Sequence, residues 1–350
     1  MSGAQTGLPV DVDDLTAAWF SQVLERDVTD ATVVDASSGT TGRARVALRG
    51  EPGVPATVFV KLAPFGARQR AFVERTGMGV AEARFYRDVA GEVPVRVPGV
   101  WYAETDGRDY VMVLEDLVAA GCAFPSPDDR DIAARARDIV EQLAALHTRY
   151  WESARFDEGG DLEWLAGRAM RGGEGGGRFI ERAVDVLGDR IDESFHRIAR
   201  IYVARTADIV QLWREGPGTL VHGDSHLGNL FVDGSRTGFL DWAVVCRAPG
   251  VRDVAYVLCN SIPADVREVI ERELVDRYCE LLARGGVALD PAVAWDQYRL
   301  HAVYSWVAAT STAGMGSRWQ PISVGLGGTV RATAACAHLD SAGLLESLLG

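Results

Sequence analysis

The 350-residue chain is long enough for one large domain or for two lobes that each bury a core. Its composition, 47% hydrophobic and 24% charged, is that of a globular protein, and its formal net charge of −13 argues against a nucleic-acid partner, because nucleic-acid binding depends on basic patches. No apolar run is long enough to span a bilayer, and residues 1–10 lack the pattern of a signal peptide, so we expect no membrane association and a cytoplasmic location.

The basic residues are almost all arginine. Lys61 is the single lysine among the 36 lysine and arginine residues. A compact ammonium on a thin stem is not interchangeable with a guanidinium, so a lysine that survives in this composition is either functional or retained by chance. Composition alone leaves these two interpretations equal.

The first third of the chain predicts a small antiparallel sheet. After a helical pattern over residues 13–24, short β-rich segments are separated by turns that contain glycine and proline. These segments are residues 31–35, 44–49, 57–62, 100–103 and 110–114. One helical pattern, at residues 79–90, is inserted between the third and the fourth segment.

Beyond residue 117 the pattern is mainly helical. Amphipathic periodicity predicts helices over residues 131–150, 179–187 and 195–213, and again from residue 253 onward. A glycine-rich segment at residues 172–177 is either a substrate lid or a flexible linker. Three short strand patterns interrupt the helices, at residues 219–221, 230–232 and 238–240.

A polar loop after the first of these strands carries the residues most typical of catalysis. The 222–229 loop reads His-Gly-Asp-Ser-His-Leu-Gly-Asn, and Asp241 follows at the end of a later apolar strand. Phosphoryl transfer from ATP needs a carboxylate that accepts the proton of the attacking hydroxyl, and an amide oxygen and a second carboxylate that hold Mg²⁺. The spacing therefore indicates Asp224 as the base and Asn229 and Asp241 as metal ligands.

This motif, His-Gly-Asp-x-His-x-x-Asn followed by Asp-Trp, resembles the aminoglycoside phosphotransferases and the choline kinase-like small-molecule kinases. Residues 143–147 and 249–255 are similar to further motifs of that group, and the resemblance covers residues 37–253. It implies an α+β, protein-kinase-like fold with two lobes. Residues 1–117 would form a small lobe of β-sheet with one helix, and residues 118–350 a large, mainly helical lobe, with ATP and Mg²⁺ bound between them.

Three residues of these motifs are expected to support the structure. His222 would brace the 222–229 loop by hydrogen bonds, and Asp253 would support the same loop from below. His147 would pack within its helix.

The resemblance also assigns roles in the small lobe. Lys61 lies on the predicted strand where kinases keep the lysine that pairs with phosphates, and Glu82 in the following helix is its expected partner, with Glu74 and Asp88 as rivals. Further nucleotide contacts are expected in the first hairpin and at the junction of the lobes, at Ser38, Gly39, Thr40, Glu115 and Leu117. For the first hairpin, an ordinary turn is the alternative.

The sequence thus predicts an ATP-dependent phosphotransferase, monomeric or homodimeric, that acts on a hydroxyl group of a small molecule. Residues 81–86 and 114–117 resemble the choline kinase-like and ecdysteroid kinase-like branch, which suggests a natural-product acceptor such as an antibiotic and, as a hypothesis, self-resistance by inactivation. The alternatives are a kinase of a primary metabolite such as a sugar or amino alcohol, a catalytically silent nucleotide-binding scaffold, and a hydrolase in which His222, Asp224 and His226 bind a metal. A protein kinase is a further alternative, which Asp-Trp in place of Asp-Phe-Gly disfavours.

Overall fold

The chain divides by its internal contacts into two compact units. The structure, a computed structural model, describes residues 7–168, 176–315 and 322–350. Met1–Ala123 and Val232–Val244 form the first unit, and Phe124–Phe231 and Val245–Gly350 form the second. The lobe boundary after residue 117 stays a prediction, and no local sequence pattern signals that Val232–Val244 groups with the first unit.

The first unit is built on a five-stranded antiparallel sheet with the strand order β1-β2-β3-β5-β4. Its strands are β1 (Val28–Ser38), β2 (Gly42–Gly50), β3 (Thr57–Leu62), β4 (Val100–Thr105) and β5 (Tyr110–Glu115). Each of the five β-rich segments predicted from the sequence lies in one of these strands. This sheet agrees with the predicted α+β, two-lobed kinase-like fold class, which is confirmed.

Alternation along β3 decides which face of the sheet carries Lys61. Val60 and Leu62 are fully buried in a core that also contains Phe20 of helix α1 (Ala17–Leu24). Because successive side chains of a strand point to opposite faces, Lys61 lies on the other face. The core thus fixes the orientation of the only lysine.

Two helices, not one, connect β3 to β4. Helix α2 (Ala67–Thr76) precedes α3 (Met78–Arg84), which continues into a π-helical turn, Phe85–Val89. The predicted helix at residues 79–90 corresponds to α3 and this turn. Helix α2 was missed because it is mostly polar, and Val73 is its one fully buried residue.

The second unit is mainly helical, as predicted. Its helices are α4 (Ile132–Tyr150), α5 (Glu163–Ala166), α6 (Gly176–Leu187), α7 (Glu193–Ala204), α8 (Thr206–Leu212), α9 (Val251–Ser261), α10 (Ala264–Arg284), α11 (Pro291–Met315), α12 (Ile322–His338) and α13 (Ser341–Leu349). Helix α9 is buried along its whole length and packs against α11, while α4 packs against α10.

Four short strands precede or follow the 222–229 loop along the chain. Strand β6 (Gly218–Val221) leads into the loop and pairs antiparallel with β9 (Cys246–Pro249). Strands β7 (Leu230–Asp233) and β8 (Arg236–Phe239) form a separate two-stranded sheet. The chain passes from the second unit into the first within β7.

No helix in the described ranges combines the length and the apolar character that a membrane crossing requires. Of the glycine-rich segment predicted at residues 172–177, residues 172–175 lie outside the described part of the chain. Gly176 and Gly177 begin helix α6.

The close approach of α3 to β5 predicts an effect of substitution at Gly79. A methyl group at this position would lie 2.0 Å from the buried ring of Tyr110. We expect Gly79→Ala to lower the free energy of unfolding by about 1–3 kcal/mol through overpacking. The matched control is Gly91→Ala, where nothing lies within 4 Å, and there we expect a change within about 0.5 kcal/mol. Equal unfolding free energies for the two variants in urea titrations would contradict this packing.

Candidate active site

A cluster of charged side chains, of which Lys61 and Glu82 are buried, lies on the Lys61 face of the first unit. The Nζ atom of Lys61 is 2.6 Å from Oε1 of Glu82 and 3.3 Å from Oδ1 of Asp241. Arg43, the cross-strand neighbour of Lys61 on β2, reaches to 3.8 Å from Oδ2 of Asp241. The structure therefore brings together three side chains that the sequence analysis placed in one site, and adds Arg43, which it missed.

The rival partners of Lys61 lie elsewhere. Glu74 contacts Arg108 at 3.0 Å and Asp88 contacts Arg87 at 2.7 Å, and both carboxylates are exposed. Glu82 alone among the three candidates faces Lys61, because it lies on the buried side of α3. Its assignment as the partner of Lys61 follows from this contact, while the binding of nucleotide by either residue stays a prediction.

The environment of Glu82 disfavours its ionised form. The side chain is fully buried, and within the described part of the chain its Oε2 atom has no hydrogen-bond partner. Burial raises the pKa of Glu82 from 4.5 to about 7, the Lys61 ammonium opposes this shift, and the charge of Asp241 adds to it. The cluster thus holds a carboxyl group that is poised to titrate near neutral pH.

Asp241 has a strained backbone that its neighbours hold in place. Its φ of +62° lies in the left-handed region, which is uncommon for residues other than glycine. The next residue, Trp242, is fully buried and stacks on Phe85 with ring centroids 4.0 Å apart and planes 9° from parallel. This stack ties the turn at Asp241 to the helical segment that follows Glu82.

The predicted phosphate-binding hairpin has several of its groups engaged in local contacts. Ser38 Oγ accepts a hydrogen bond from the backbone N–H of Phe65 at 2.9 Å, and the N–H of Gly39 donates to the carbonyl of Thr41 at 3.0 Å. Thr40 is half-buried. A methyl group on Gly42 would lie 2.7 Å from the ring of Phe65, so this glycine is required by packing. Nucleotide binding by the hairpin stays a prediction.

The residues predicted at the lobe junction also have structural partners. The carboxylate of Glu115 accepts hydrogen bonds from the Arg96 guanidinium and from the N–H of Gly99, each at 2.8 Å. Leu117 is buried. These contacts fix the end of β5 and leave the predicted adenine contact untested.

In the second unit, one buried carboxylate holds the start of the 222–229 loop. Asp253 accepts hydrogen bonds from the backbone N–H groups of His222, at 2.6 Å, and Gly223, at 2.9 Å. The carbonyl of Asp253 also accepts from the hydroxyl of Ser225. The structure therefore shows Asp253 supporting the loop as expected.

His147 does more than pack within its helix. Its Nε2 atom lies 3.5 Å from Oδ2 of Asp253, and its Nδ1 contacts the hydroxyl of Tyr278 at 2.9 Å. Burial alone would raise the pKa of Asp253, but the imidazoles of His147 and His222 and the cation of Arg252 hold that pKa below its ordinary value. The expectation for His147 was incomplete because its partner lies far away in the sequence.

Both histidines of the loop use a ring nitrogen to bind backbone. His222 Nδ1 accepts from the N–H of Asp224 at 3.2 Å, and His226 Nδ1 accepts from the N–H of Gly228 at 3.0 Å. This is the bracing predicted for His222.

Over the residues that the structure describes, no three His, Cys, Asp or Glu side chains form a group that could hold a metal ion.

Asp224 and Asn229 contact each other across the loop. The Asn229 Nδ2 group donates to the carbonyl of Asp224 at 2.9 Å and to its Oδ2 at 3.1 Å. The other oxygen, Oδ1, accepts a hydrogen bond of 2.6 Å from the hydroxyl of Tyr256 on α9. The carboxylate of Asp224 is one third exposed, so it can also receive a hydroxyl group from solvent.

Two tyrosines make contacts at this site that sequence patterns did not predict. Tyr256 contacts Asp224, and Tyr304 on α11 donates to the carbonyl of Gly223 at 3.1 Å. Burial raises the pKa of Tyr256 well above its ordinary value, so its hydroxyl stays a donor. The one sequence signal for the contact of Tyr256 with Asp224 was that Tyr256 lies three residues after Asp253.

The sheet-and-helix fold, the Lys61–Glu82 pair and the Asp224–Asn229 loop together have the character of a kinase-like phosphotransferase. The profile of the phosphotransferase enzyme family (APH) matches residues 33–300, and the chain belongs to this family. It is therefore an enzyme of the small-molecule kinase class. A comparison with the curated proteins finds no match.

Solved structures share the fold at low sequence identity. The choline kinase LicA from Streptococcus pneumoniae has a TM-score of 0.51 and 12% identity, with 92% of this chain and 97% of that chain covered. A candidate aminoglycoside phosphotransferase from Ralstonia eutropha JMP134 has a TM-score of 0.51 and 16% identity, covering 95% and 99%. A choline kinase from Cryptosporidium parvum Iowa II has a TM-score of 0.50 and 10% identity, covering 92% and 90%.

The raised pKa of Glu82 predicts a pH dependence of stability. Between its ordinary value of 4.5 and about 7, the folded protein keeps the Glu82 proton while the unfolded chain has released it. Because the folded state then binds more protons, the contribution of Glu82 to the free energy of unfolding falls as the pH rises through this window. Relative to Glu82→Gln, the wild type should lose stability from pH 4.5 to about 7 and then level off. A stability difference that is constant or rises over this range, measured by urea unfolding of both proteins, would exclude the shift.

Proposed function

We propose that this protein uses ATP and Mg²⁺ to phosphorylate a hydroxyl group of a small natural product, with Asp224 as the base. The observation that carries the proposal is the hydrogen bond of 2.6 Å from the Tyr256 hydroxyl to Asp224 Oδ1. This carboxylate already receives an O–H group, which is the geometry that an acceptor hydroxyl needs before it loses its proton. Asn229 holds the second carboxylate oxygen and so limits the rotation of the side chain.

The proposed metal ligands, Asn229 of the second unit and Asp241 of the first, have suitable donor atoms. Asn229 uses its Nδ2 group as a donor to Asp224, so its oxygen Oδ1 is the atom left for a cation. Asp241 offers a partly exposed carboxylate. Magnesium prefers such oxygen ligands and, when bound, would neutralise charge on the phosphates.

Lys61 is proposed to bind the α- and β-phosphates. Glu82, at 2.6 Å, fixes the direction of the ammonium group, and burial of both side chains keeps water from competing for it. Arg43 adds a second cation at the opposite oxygen of Asp241. A strand lysine in this setting has three donors and can hold Glu82 and phosphate oxygens together.

The acceptor is proposed to be a cationic alcohol. Choline and aminoglycosides, which the names of two structural relatives mention, are both hydroxyl-bearing cations. The net charge of −13 favours the approach of a cation at long range.

If the acceptor is an antibiotic, expression in a susceptible host should raise tolerance to that drug and yield a product one phosphate heavier. Unchanged tolerance together with a phosphorylated sugar or amino alcohol would instead support a primary-metabolite kinase.

The role of Asp224 predicts the outcome of an acceptor screen that measures ADP release. We expect Asp224→Asn to lower kcat on any accepted alcohol by roughly a hundredfold to ten-thousandfold, because the side chain can no longer take the proton. The matched control is Asp233→Asn, which removes an exposed carboxylate that pairs with Arg96, and its kcat should stay close to that of the wild type.

The same pair of variants tests the alternative of a silent scaffold. A scaffold would bind ATP but release no ADP above background with any acceptor. Its biological activity would survive Asp224→Asn unchanged. Either result would refute the proposed catalysis.

A further inference from the structure

A cavity lies in the second unit, away from the 222–229 loop. Its volume is about 300 Å³, and its walls include Gly218 of β6 and Pro249 of β9. These two residues pair at one end of the short sheet, while the other end of β6 runs into the loop at His222. At the rise of an extended strand, Gly218 and His222 are about 13 Å apart. The cavity is therefore not the Asp224 site.

Arginine side chains dominate the charge of this cavity. Arg214, Arg247 and Arg252 all contribute to its walls, together with apolar surface from Trp213 and Pro249. Glu152 contacts the Nη2 atom of Arg247 at 3.1 Å and is half-exposed. Glu152 thus pairs with Arg247 alone, and no carboxylate is among the described residues that line the cavity.

Arg252 is the most informative of the three. It is only 2% exposed, and its Nη2 atom contacts the neutral groups of Tyr304, at 3.1 Å, and Cys246, at 3.5 Å. Across the described part of the chain, no carboxylate oxygen lies within 4.0 Å of its guanidinium nitrogens, and its buried Nε–H has no hydrogen-bond acceptor. A guanidinium cannot lose its proton in a protein, so this charge is buried without a carboxylate in direct contact; Asp253 offsets it only at longer range, and the Tyr304 ring lies 4.2 Å from it.

The chain provides its own comparison in Arg267. This arginine is also fully buried, but its Nη1 atom lies 2.5 Å from Oε2 of Glu271 and its Nη2 atom lies 3.2 Å from Glu268. Arg267 shares with Arg252 a buried Nε–H that has no acceptor among the described residues, but it has the carboxylate contacts that Arg252 lacks. No carboxylate in the described ranges contacts Arg252, which instead lines the cavity.

Arg247 presents a second buried donor to the same region. Its Nε atom is buried and, among the residues described, has no hydrogen-bond acceptor. A methyl group on Gly218 would lie 2.6 Å from this nitrogen, so the glycine allows the guanidinium to lie against the strand. The strand thus has room for Arg247 at the cavity because position 218 carries no side chain.

We propose that this cavity binds a small organic anion, a phosphate monoester or a carboxylate, whose oxygens accept from Arg247 and Arg252. Guanidinium groups match both oxyanions in geometry and charge. The faces of Trp213 and Pro249 supply apolar contact for the organic part, and the volume is at the small end of ligand sites. Through Tyr304, which contacts both Arg252 and the carbonyl of Gly223, the bound anion is connected to the loop that carries Asp224.

The test titrates phenyl phosphate, benzoate and the neutral benzyl alcohol into the full-length protein at constant ionic strength, with calorimetric detection. We expect at least one of the two anions to bind and the alcohol not to bind. Arg252→Met and Arg247→Met should each weaken the affinity by roughly tenfold to a hundredfold, the range of a lost hydrogen bond to a charged group. Binding of one anion only would assign the phosphate or the carboxylate class.

The control variant Lys61→Met separates this cavity from the proposed nucleotide site. Its affinity for the anion should equal that of the wild type. An affinity that is lost in Lys61→Met and kept in Arg252→Met would overturn the proposal, because the anion would then bind at the Lys61 cluster. Absence of binding by both anions would overturn it as well.

Melting temperatures show whether Arg252 is a structural residue instead. Because no carboxylate of the described residues contacts Arg252, replacing it with methionine should change the Tm of the anion-free protein less than the same replacement of Arg267 does. Arg267→Met should lower the Tm, because it leaves Glu271 buried without its partner. Equal losses of Tm in Arg252→Met and Arg267→Met would contradict a ligand-binding role for Arg252.

Discussion

The carboxylate of Asp253 organises the second unit around the 222–229 loop. A loop that leaves a buried strand has backbone N–H groups that must find acceptors, and Asp253 accepts from those of His222 and Gly223. The carboxylate stays ionised because His147 lies beside it, and the pKa of Asp253 is held low. With the start of the loop fixed in this way, Asp224 reaches a position where Tyr256 contacts it.

The first unit also buries charged side chains, but it stabilises them with a different arrangement of partners. A lysine on a buried sheet face needs a counter-ion, and Glu82 and Asp241 both lie within 3.3 Å of Lys61. The strained backbone of Asp241 and the stacking of Trp242 on Phe85 keep these charges together. Each unit therefore buries a carboxyl group in its cluster, but only the surroundings of Asp253 fully offset the desolvation of the charge, since the pKa of Glu82 stays raised.

Sequence patterns predicted the features that depend on short-range order. The resemblance to small-molecule kinases, with the helical pattern after β3, made Glu82 the expected partner of Lys61 and left Glu74 and Asp88 as rivals, and loop spacing was enough to relate Asp224 to Asn229. The contact of Tyr256 with Asp224 and that of His147 with Asp253 could not be predicted, because side chains from separate helices meet there only after the helices pack. Helix α2 was missed for a similar reason, since its polar sequence gives no periodic apolar signal.

The Asp253 carboxylate is expected to order the start of the 222–229 loop. Amide hydrogen exchange of the wild type and of Asp253→Asn tests this directly. We predict strong protection of the His222 and Gly223 amides in the wild type and its loss in Asp253→Asn, while the amides of β3 in the first unit keep their protection. Equal protection of His222 and Gly223 in both proteins would contradict the claim.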